Sequence, residues 1–407
     1  MTGQMRQARL TGVGWVGVLV AFAAVCMAAA AAAASSGASR FAVATTLRWV
    51  AFRTPSDGAG LFQTERYPVS GNGPVECVLY TRATADGGAS FGPAGQPLAR
   101  TNCGNGVAYS AVAFAGPHDL LAYGPNLAVS HDMGRSWQRE RLPGPLAGMT
   151  THGASAWAIV ADRCRAVAQL CGLELLRSQN GGVSWQLLRP QPPDRTTPSA
   201  PVFDAEMATS TLLARTPDGT LLLALPGSLP GIGKPAPATG TVQRLVPGHR
   251  HWTHVAAPCD SGLYQSELAV ASDGVAWLAC AGEPGVGLQI KSLALSSDGG
   301  ARWTVAVAAC GLYLRHCHVQ MPLGGYLGGL AAVSSHTVFY VGDRGSLAGT
   351  FDGGRNWRVW PQIGNDAAGS LQVTFINAHD GWAIAQGLGP STSLWRTRDA
   401  GRTWSRA

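Results

Sequence analysis

An eight-residue motif, Ser/Thr-x-Asp/Asn-x-Gly-x-x-Trp/Phe, recurs six times along this chain of 407 residues. A run of alternating apolar residues precedes each copy and a short apolar run follows it, which predicts a β-hairpin with the motif as its turn. The copies span Thr84–Phe91, Ser130–Trp137, Ser178–Trp185, Ser296–Trp303, Thr350–Trp357 and Thr397–Trp404. Such regular recurrence indicates a repeat protein.

The residue types of the motif suit a tight turn. A side-chain carboxylate or amide oxygen can accept hydrogen bonds from backbone N–H groups of its own turn, and glycine can adopt the positive φ that the turn requires. The closing aromatic ring offers a large apolar face to bury against the next unit. We therefore assign structural roles to Asp86, Asp132, Asn180, Asp298, Asp352 and Asp399, and to Trp137, Trp185, Trp303, Trp357 and Trp404.

The spacing of the motifs predicts the number of repeats. The closing aromatic residues lie 46, 48, 118, 54 and 47 residues apart, so one interval is about twice too long. The segment Thr241–Val255 lies in that interval and has a strand-like run, a turn and Trp252 in the same order as the regular copies. Leu245, Pro247 and His249 stand where the hydroxyl, the carboxylate and the glycine of the motif would be, which indicates a degenerate seventh copy. The alternative is six repeats with a large insertion.

The motif resembles the Asp-box, or bacterial neuraminidase repeat, of sialidase-like β-propellers, and its copies cover nearly all of the chain after the N-terminal segment. The repeats are also similar to those of photosystem II assembly factors. The resemblance implies that each box closes the hairpin between the third and fourth strands of a blade, on the face away from the ligand. We therefore expect an all-β fold over residues 41–407, a seven-bladed β-propeller of four-stranded antiparallel blades, with six blades as the alternative.

The N-terminal segment, residues 1–34, has the pattern of an export signal. Arg6 and Arg9 precede an apolar run that starts at Gly12 and ends in polyalanine before Ser35. Because the run exceeds 20 residues, an uncleaved membrane anchor is the alternative. We therefore predict a secreted or extracytoplasmic protein, with any membrane attachment through this segment.

Eight cysteines remain once Cys26 leaves with the leader, and an even number in an exported chain points to disulfides. The implied blade map places them on one face and suggests local pairs, with metal binding by thiolates as the competing hypothesis. These pairs are Cys77 with Cys103, Cys164 with Cys171, Cys259 with Cys280, and Cys310 with Cys317.

The same face carries insertions, which we expect to be loops: Glu65–Cys77, Arg163–Cys171 and Pro226–Gly240. Repeat proteins commonly place insertions on their binding side. We therefore predict a disulfide-braced rim of loops as the ligand-binding surface. Its candidate residues are Arg66, Arg163, Arg165, Tyr313, Arg315 and Tyr326.

The resemblance to sialidases also implies a catalytic set to look for: three arginines around a carboxylate, a Tyr activated by a Glu, and an Asp acid. None of the rim residues lies in a recognisable motif of this kind. Phe52-Arg53-Thr54-Pro55 is similar to the sialidase arginine signature, but it ends a strand instead of opening one. We therefore assign no catalytic residue.

Histidines cluster at two places, His249 with His251 and His254, and His316 with His318 beside Cys317. Three histidines at the spacing of the first group can bind a metal, but exposed side chains in a degenerate turn are the favoured explanation. We predict no metal and no cofactor. The net charge of +7 comes from scattered arginines, which make no nucleic-acid footprint.

The sequence thus predicts an exported, non-catalytic propeller that binds a glycan, an envelope polymer or a protein. The alternatives are a sialidase-like exo-glycosidase and an assembly scaffold of the photosystem II assembly factor type. The identity of the ligand and the oligomeric state stay open.

Overall fold

The structure is a computed structural model. It describes residues 41–68, 76–103, 108–165, 170–192, 213–225, 241–256, 258, 265–282, 289–308, 321–322, 325–343, 345–364, 370–387 and 391–407. The predicted leader, residues 1–34, lies outside these ranges. Within them, no helix has the length and apolar character needed to cross a lipid bilayer.

Seven four-stranded antiparallel sheets form the blades of a ring, and each sheet is built from four strands that are consecutive in sequence. This confirms the seven-bladed β-propeller, and the six-bladed alternative is wrong. The strands of blades 1 to 3 are β1 (Phe41–Phe52), β2 (Gly58–Pro68), β3 (Glu76–Thr84) and β4 (Ala99–Thr101); β5 (Ala111–Phe114), β6 (Leu120–Tyr123), β7 (Leu127–Ser130) and β8 (Gln138–Glu140); and β9 (Leu146–His152), β10 (Ser155–Arg165), β11 (Leu170–Ser178) and β12 (Gln186–Leu187).

Blades 4 to 7 repeat the same order. Their strands are β13 (Leu213–Arg215), β14 (Leu221–Leu225), β15 (Thr241–Leu245) and β16 (Thr253–Ala256); β17 (Gln265–Val270), β18 (Ala276–Ala281), β19 (Lys291–Ser296) and β20 (Thr304–Val307); β21 (Tyr326–Ala332), β22 (Val338–Asp343), β23 (Leu347–Thr350) and β24 (Arg358–Trp360); and β25 (Ser370–Phe375), β26 (Gly381–Gln386), β27 (Thr392–Thr397) and β28 (Ser405–Arg406).

Each of the six regular motifs forms the turn between the third and fourth strands of its blade. In blade 1 the hydroxyl of Thr84 accepts a hydrogen bond from the Gly88 N–H (3.0 Å) and donates to the Asp86 carboxylate (2.7 Å). That carboxylate also accepts from the Ser90 N–H at 2.9 Å. The other five motifs repeat all three bonds, which satisfy the polar groups of the turn within the turn itself.

The glycine at the fifth motif position is required for two reasons. In the last motif Gly401 has a φ of +83°, which residues with a Cβ rarely adopt. A Cβ at this position would also lie 2.1 Å from Cζ of Phe339 in the preceding blade. The motif turn therefore packs its backbone directly on the neighbouring blade.

One apolar cluster lies at each of the seven blade interfaces, and the closing aromatic residue of one motif packs against each cluster. Trp252 of the degenerate copy packs on the cluster between blades 3 and 4, as Trp185 and Trp303 do at their own interfaces. This confirms the predicted place of Trp252. The motif aromatic residues are only partly buried, whereas Trp277 and Trp382 on second strands are fully buried.

The ring closes between blades 7 and 1 through side chains, because every blade holds its own four strands. The Gln372 carboxamide accepts from the Val50 N–H (2.8 Å) and donates to the Val50 carbonyl (3.0 Å). Trp382 stacks on Phe52 with ring centroids 3.7 Å apart, and its Nε1 donates to the Gly87 carbonyl at 2.9 Å. The closing interface thus combines hydrogen bonds with a fully buried indole.

Two of the predicted loop insertions are partly strand, which corrects the sequence interpretation. In blade 1, β2 continues to Pro68 and β3 begins at Glu76, and in blade 3 β10 continues to Arg165. Cross-strand pairs hold the blade 1 extension together, as the hydroxyl groups of Thr45 and Thr64 do at 2.9 Å. Pro226–Gly240 lies outside the described residues.

Candidate ligand-binding face

The motif turns and the turns between first and second strands lie on one face of the ring, which we call the motif face. In three different blades a motif N–H donates to a carbonyl of that first turn: Gly87 to Ser56 (2.8 Å), Gly181 to Ala154 (2.9 Å) and Gly353 to His336 (2.9 Å). The connections between second and third strands, and those between blades, therefore lie on the opposite face.

The predicted rim residues that the structure describes come from different blades of the opposite face. Arg66 lies near the end of β2. Arg163 and Arg165 lie at the end of β10, where the structure describes the backbone but not the side chains. Tyr326 was expected in a loop, but it is the first residue of β21 and pairs with Asp343, because the turn at Gly325 (φ +74°) precedes it. Tyr313 and Arg315 lie outside the described residues.

The extension of blade 1 forms a three-stranded platform from Phe41–Thr45, Thr64–Pro68 and Glu76–Val78. At its tip Glu76 pairs with Arg66 (3.0 Å) and with Arg100 (3.3 Å). The hydrogen bond from Arg66 holds the pKa of Glu76 below its ordinary value. The Arg66 guanidinium also lies 4.9 Å from the centre of the Phe41 ring. Charges of both signs are therefore paired on this platform.

A tyrosine and a glutamate on the same platform were missed by the sequence interpretation. The Tyr67 hydroxyl donates to the Glu65 carboxylate, which also accepts from the Gln63 amide at 2.5 Å. The bond to Glu65, helped by partial burial, raises the pKa of Tyr67. The signal in the sequence is an acid and a phenol two residues apart in one strand, which places both side chains on the same face of the sheet.

A disulfide joins Cys77, at the start of β3, to Cys103, just after β4, with Cα atoms 5.1 Å apart. This is the first of the four predicted pairs. Cys280 is also disulfide-bonded, and its predicted partner Cys259 lies outside the described residues. The side chains of Cys164 and Cys171, and all of Cys310 and Cys317, are likewise outside them. The Cys77–Cys103 bond fixes the outer edge of the platform of blade 1.

A buried lysine braces the opposite face at the junction of blades 5 and 6. Lys291 Nζ donates to the carbonyls of Gln289 (3.1 Å), Pro322 (3.3 Å) and Gly325 (2.9 Å). Burial lowers the pKa of Lys291 to about 8. The Tyr340 hydroxyl donates to the Pro322 carbonyl as well (2.6 Å). These bonds tie the start of the third strand of blade 5 to the start of blade 6.

The first strands of the blades line a central cavity of about 360 Å³. Its wall is mostly apolar or small, from Trp49 on β1 to Gly328–Ala332 on β21, and among the described residues of the wall only Arg215 and Glu267 are Arg, Lys, Asp or Glu. Tyr123 also lines it, and burial raises the pKa of that tyrosine to about 12. The described wall thus lacks the cluster of three arginines that a sialidase-like site needs.

Arg53 of the Phe-Arg-Thr-Pro segment lies away from that cavity. It pairs with Asp57 at 3.2 Å and donates to the Pro117 carbonyl, which joins the first turns of blades 1 and 2 on the motif face. This placement agrees with a structural role for Arg53 and not with that of a sialidase arginine.

The electrostatics of the motif turns are those of self-contained structural units. Hydrogen bonds from the side chain and the N–H of Ser90 hold the pKa of Asp86 well below its ordinary value. Asp352 shows the same direction of shift in its pKa, caused mainly by hydrogen bonds from Asn356. In the part of the chain that the structure describes, no three His, Cys, Asp or Glu side chains come together as a metal site, so His249, His251 and His254 do not form one.

No known family model and no curated protein matches the sequence. Among solved structures the chain is similar to YCF48 from Cyanidioschyzon merolae, with 17% identity, a TM-score of 0.49, and coverage of 89% of this chain and 97% of that one. Similar values hold for YCF48 bound to D1 peptide, with 17% identity, a TM-score of 0.49, and coverage of 88% and 96%. An ulvan lyase of polysaccharide lyase family 25 has 8% identity, a TM-score of 0.48, and coverage of 90% and 94%.

Proposed function

We propose that this chain is an exported, non-catalytic β-propeller that binds its ligand on the face opposite the motif turns, through the platform of blade 1 and the mouth of the central cavity. The ligand classes are a glycan, an envelope polymer or a protein. The platform is the observation that carries this proposal. It continues the hairpin β1–β2 beyond the pairing that a blade needs, from Thr46 paired with Gln63 outward to Phe41 paired with Pro68.

The platform carries a covalent bond and two ion pairs at its edge. The Cys77–Cys103 disulfide and the pairing of Glu76 with two arginines restrain its edge. A surface that is already ordered loses little conformational entropy when it binds, so more of the contact energy contributes to affinity. Export is supported by the N-terminal segment and by this disulfide, because disulfides persist mainly in oxidising compartments.

The enzyme alternative has one specific observation in its favour, the hydrogen-bonded pair of Tyr67 and Glu65. A tyrosine nucleophile needs a base that takes its proton, and the carboxylate of Glu65 accepts that hydrogen bond. However, the raised pKa of Tyr67 favours the neutral phenol. A retaining glycosidase also needs a second, acidic carboxyl group positioned across the scissile bond. The neighbouring Arg66, which a sialidase-like site would use to hold the substrate carboxylate, is already paired with Glu76. We therefore favour binding without turnover.

A binding array tests this proposal, with defined glycans, purified envelope polysaccharides and immobilised peptides as probes. We expect one class to bind the full chain, and we expect Arg66→Ala to weaken that binding about tenfold or more, as truncated interfacial arginines do. Arg398→Ala, which removes an exposed arginine from the motif face, is the matched control and should bind as the parent does. Equal effects of the two variants would place the ligand elsewhere.

A fluorogenic sialoside and a wider glycoside panel separate binding from catalysis. We expect no turnover by the full chain. Turnover that Tyr67→Phe, Tyr313→Phe or Tyr326→Phe abolishes would replace this proposal with the hydrolase alternative. If only a protein probe binds the array, the scaffold alternative gains support over a glycan receptor.

A further inference from the structure

The degenerate motif of blade 4 borders a pocket between blades 3 and 4, on the motif side of the ring. The pocket has a volume of about 380 Å³ and is lined by Trp157 and Arg177 of blade 3 and by Arg215, Asp218 and His249 of blade 4. It is distinct from the platform of blade 1, so a ligand bound in this pocket would be additional to the one in the proposed function.

The closing interface between blades 7 and 1 shows how a regular motif fills the equivalent space. Trp382 pairs across strands with Arg396, as Trp157 pairs with Arg177. The motif turn of blade 1 closes on this pair: Trp382 Nε1 donates to the Gly87 carbonyl, and a Cβ on Gly87 would lie 2.1 Å from the Arg396 guanidinium. An intact motif thus covers both the indole and the arginine.

At its fourth position the degenerate turn is more open than the turn of blade 1. Gly248 holds the place of Gly87 and keeps a positive φ of +80°, but no described atom lies within 4 Å of where its Cβ would be. Leu245 and Pro247 carry neither the hydroxyl nor the carboxylate that ties a regular turn to itself. The loss of the motif chemistry therefore leaves the space beside Trp157 open.

Two arginines lie beside this indole. The guanidinium carbons of Arg177 and Arg215 lie 5.3 Å and 5.0 Å from the Trp157 ring centre. The Nε atoms of both arginines are buried and have no hydrogen-bond partner in the part of the chain that the structure describes. Among the described residues neither arginine has a carboxylate within ion-pair distance, whereas Arg396 pairs with Asp380 at 3.4 Å.

Asp218, the one carboxylate among the described residues that line the pocket, is already engaged. It accepts hydrogen bonds from the Thr216 hydroxyl, from the Thr220 N–H at 3.2 Å and from the Thr220 hydroxyl at 3.2 Å. Arg189 adds a third cation to the lining. The pocket therefore holds an excess of positive charge beside an apolar ring.

We propose that this pocket binds an oxyanion, the sulfate, phosphate or carboxylate group of a ligand, between Arg177 and Arg215. Planar guanidinium groups bind such anions through two parallel hydrogen bonds, and an anion would relieve the repulsion between two neighbouring cations. The Trp157 indole would pack against the apolar part of the same ligand.

Calorimetric titration of the full chain tests this, with sulfate, phosphate and glucuronate in separate arms and sodium chloride holding the ionic strength constant. We expect Arg177→Gln and Arg215→Gln each to weaken the preferred anion about tenfold or more, the effect of losing one charge-assisted hydrogen bond. Arg358→Gln is the matched control, since it removes one guanidinium that lies 4.9 Å from the Trp360 ring in blade 6. Parent-like affinity in both pocket variants, or no binding above chloride in any arm, would overturn the proposal.

A repaired motif provides a second, opposite test. Leu245→Ser, Pro247→Asp and His249→Gly together restore the motif sequence at residues 245–252. The repaired turn should close on Trp157 and Arg177 as blade 1 closes on Trp382 and Arg396. We expect the folded variant to lose anion binding, and full retention of the affinity would contradict the role of the open turn. If the repaired chain does not fold, the arginine variants decide alone.

Discussion

Replacing Gly401 by alanine tests whether the motif glycines exist for packing between blades as well as for the turn. The backbone of Gly401 has a φ of +83°, and the left-handed region costs a residue with a Cβ roughly 1–2 kcal/mol. The new Cβ would also lie 2.1 Å from Phe339 Cζ, far inside ordinary contact distance. Phe339 is fully buried and stacks on Phe375, so it cannot swing aside freely. Overpacking of this kind adds about 1–3 kcal/mol.

The free energy of unfolding of Gly401→Ala should therefore fall by roughly 2–5 kcal/mol in all, the sum of backbone strain and overpacking. Gly248→Ala is the matched control, because its φ is +80° but no described atom lies within 4 Å of the added Cβ. That variant should lose only the roughly 1–2 kcal/mol of backbone strain. Urea unfolding followed by tryptophan fluorescence measures both. Equal losses in the two variants would refute the packing argument and leave backbone conformation as the only role of the glycine.

Two further predictions concern the turns and the platform. The folded-state pKa of Asp86 lies below its unfolded value, so its hydrogen bonds stabilise the fold above about pH 4 and are lost as the pH falls below that value. Asp86→Asn, which imitates Asn180, should therefore flatten the dependence of the urea midpoint on pH between about 6 and 3. An unchanged slope would contradict the role of the carboxylate. Replacing Cys77 and Cys103 together by alanine should lower the free energy of unfolding by about 2–4 kcal/mol through the released chain entropy; an unchanged urea midpoint would mean that the platform needs no covalent brace.

The architecture was predictable because the motif carries both a period and a local chemistry. Even the degenerate copy could be located, since Trp252 lies 51 residues before Trp303, within the range of the regular intervals, although Leu245 and Pro247 have lost the polar groups. The register of a turn depends on residues close in sequence, so the pattern of the motif is sufficient to find it. The packing of Gly401 on Phe339 could not be predicted in this way, because it joins two blades.

The site was less predictable than the fold. The segment after Glu65 has the Pro and Gly content of a loop, and the extension of β2 to Pro68 depends on pairing with Phe41, which lies 27 residues earlier. Tyr67 gains its partner Glu65 only through this strand geometry. The place of Tyr326 in a strand was missed although Gly324-Gly325 marks a turn directly before it, because Gly328 and Gly329 give β21 itself the composition of a loop.

The distribution of intact and degenerate motifs bears on function as well as on fold. In a repeat protein each unit contacts its neighbours only, so a change at one interface affects stability locally and leaves the other interfaces intact. Six interfaces of this ring keep a regular motif that closes on the preceding blade. The one that lost it, between blades 3 and 4, is where two arginines lie beside an indole with no carboxylate paired to either among the described residues. Arg177 has a counterpart in Arg396 at the intact interface between blades 7 and 1, but there Phe52, and not a second arginine, stacks on the indole. The second arginine beside the degenerate motif favours the interpretation that the open turn serves a ligand.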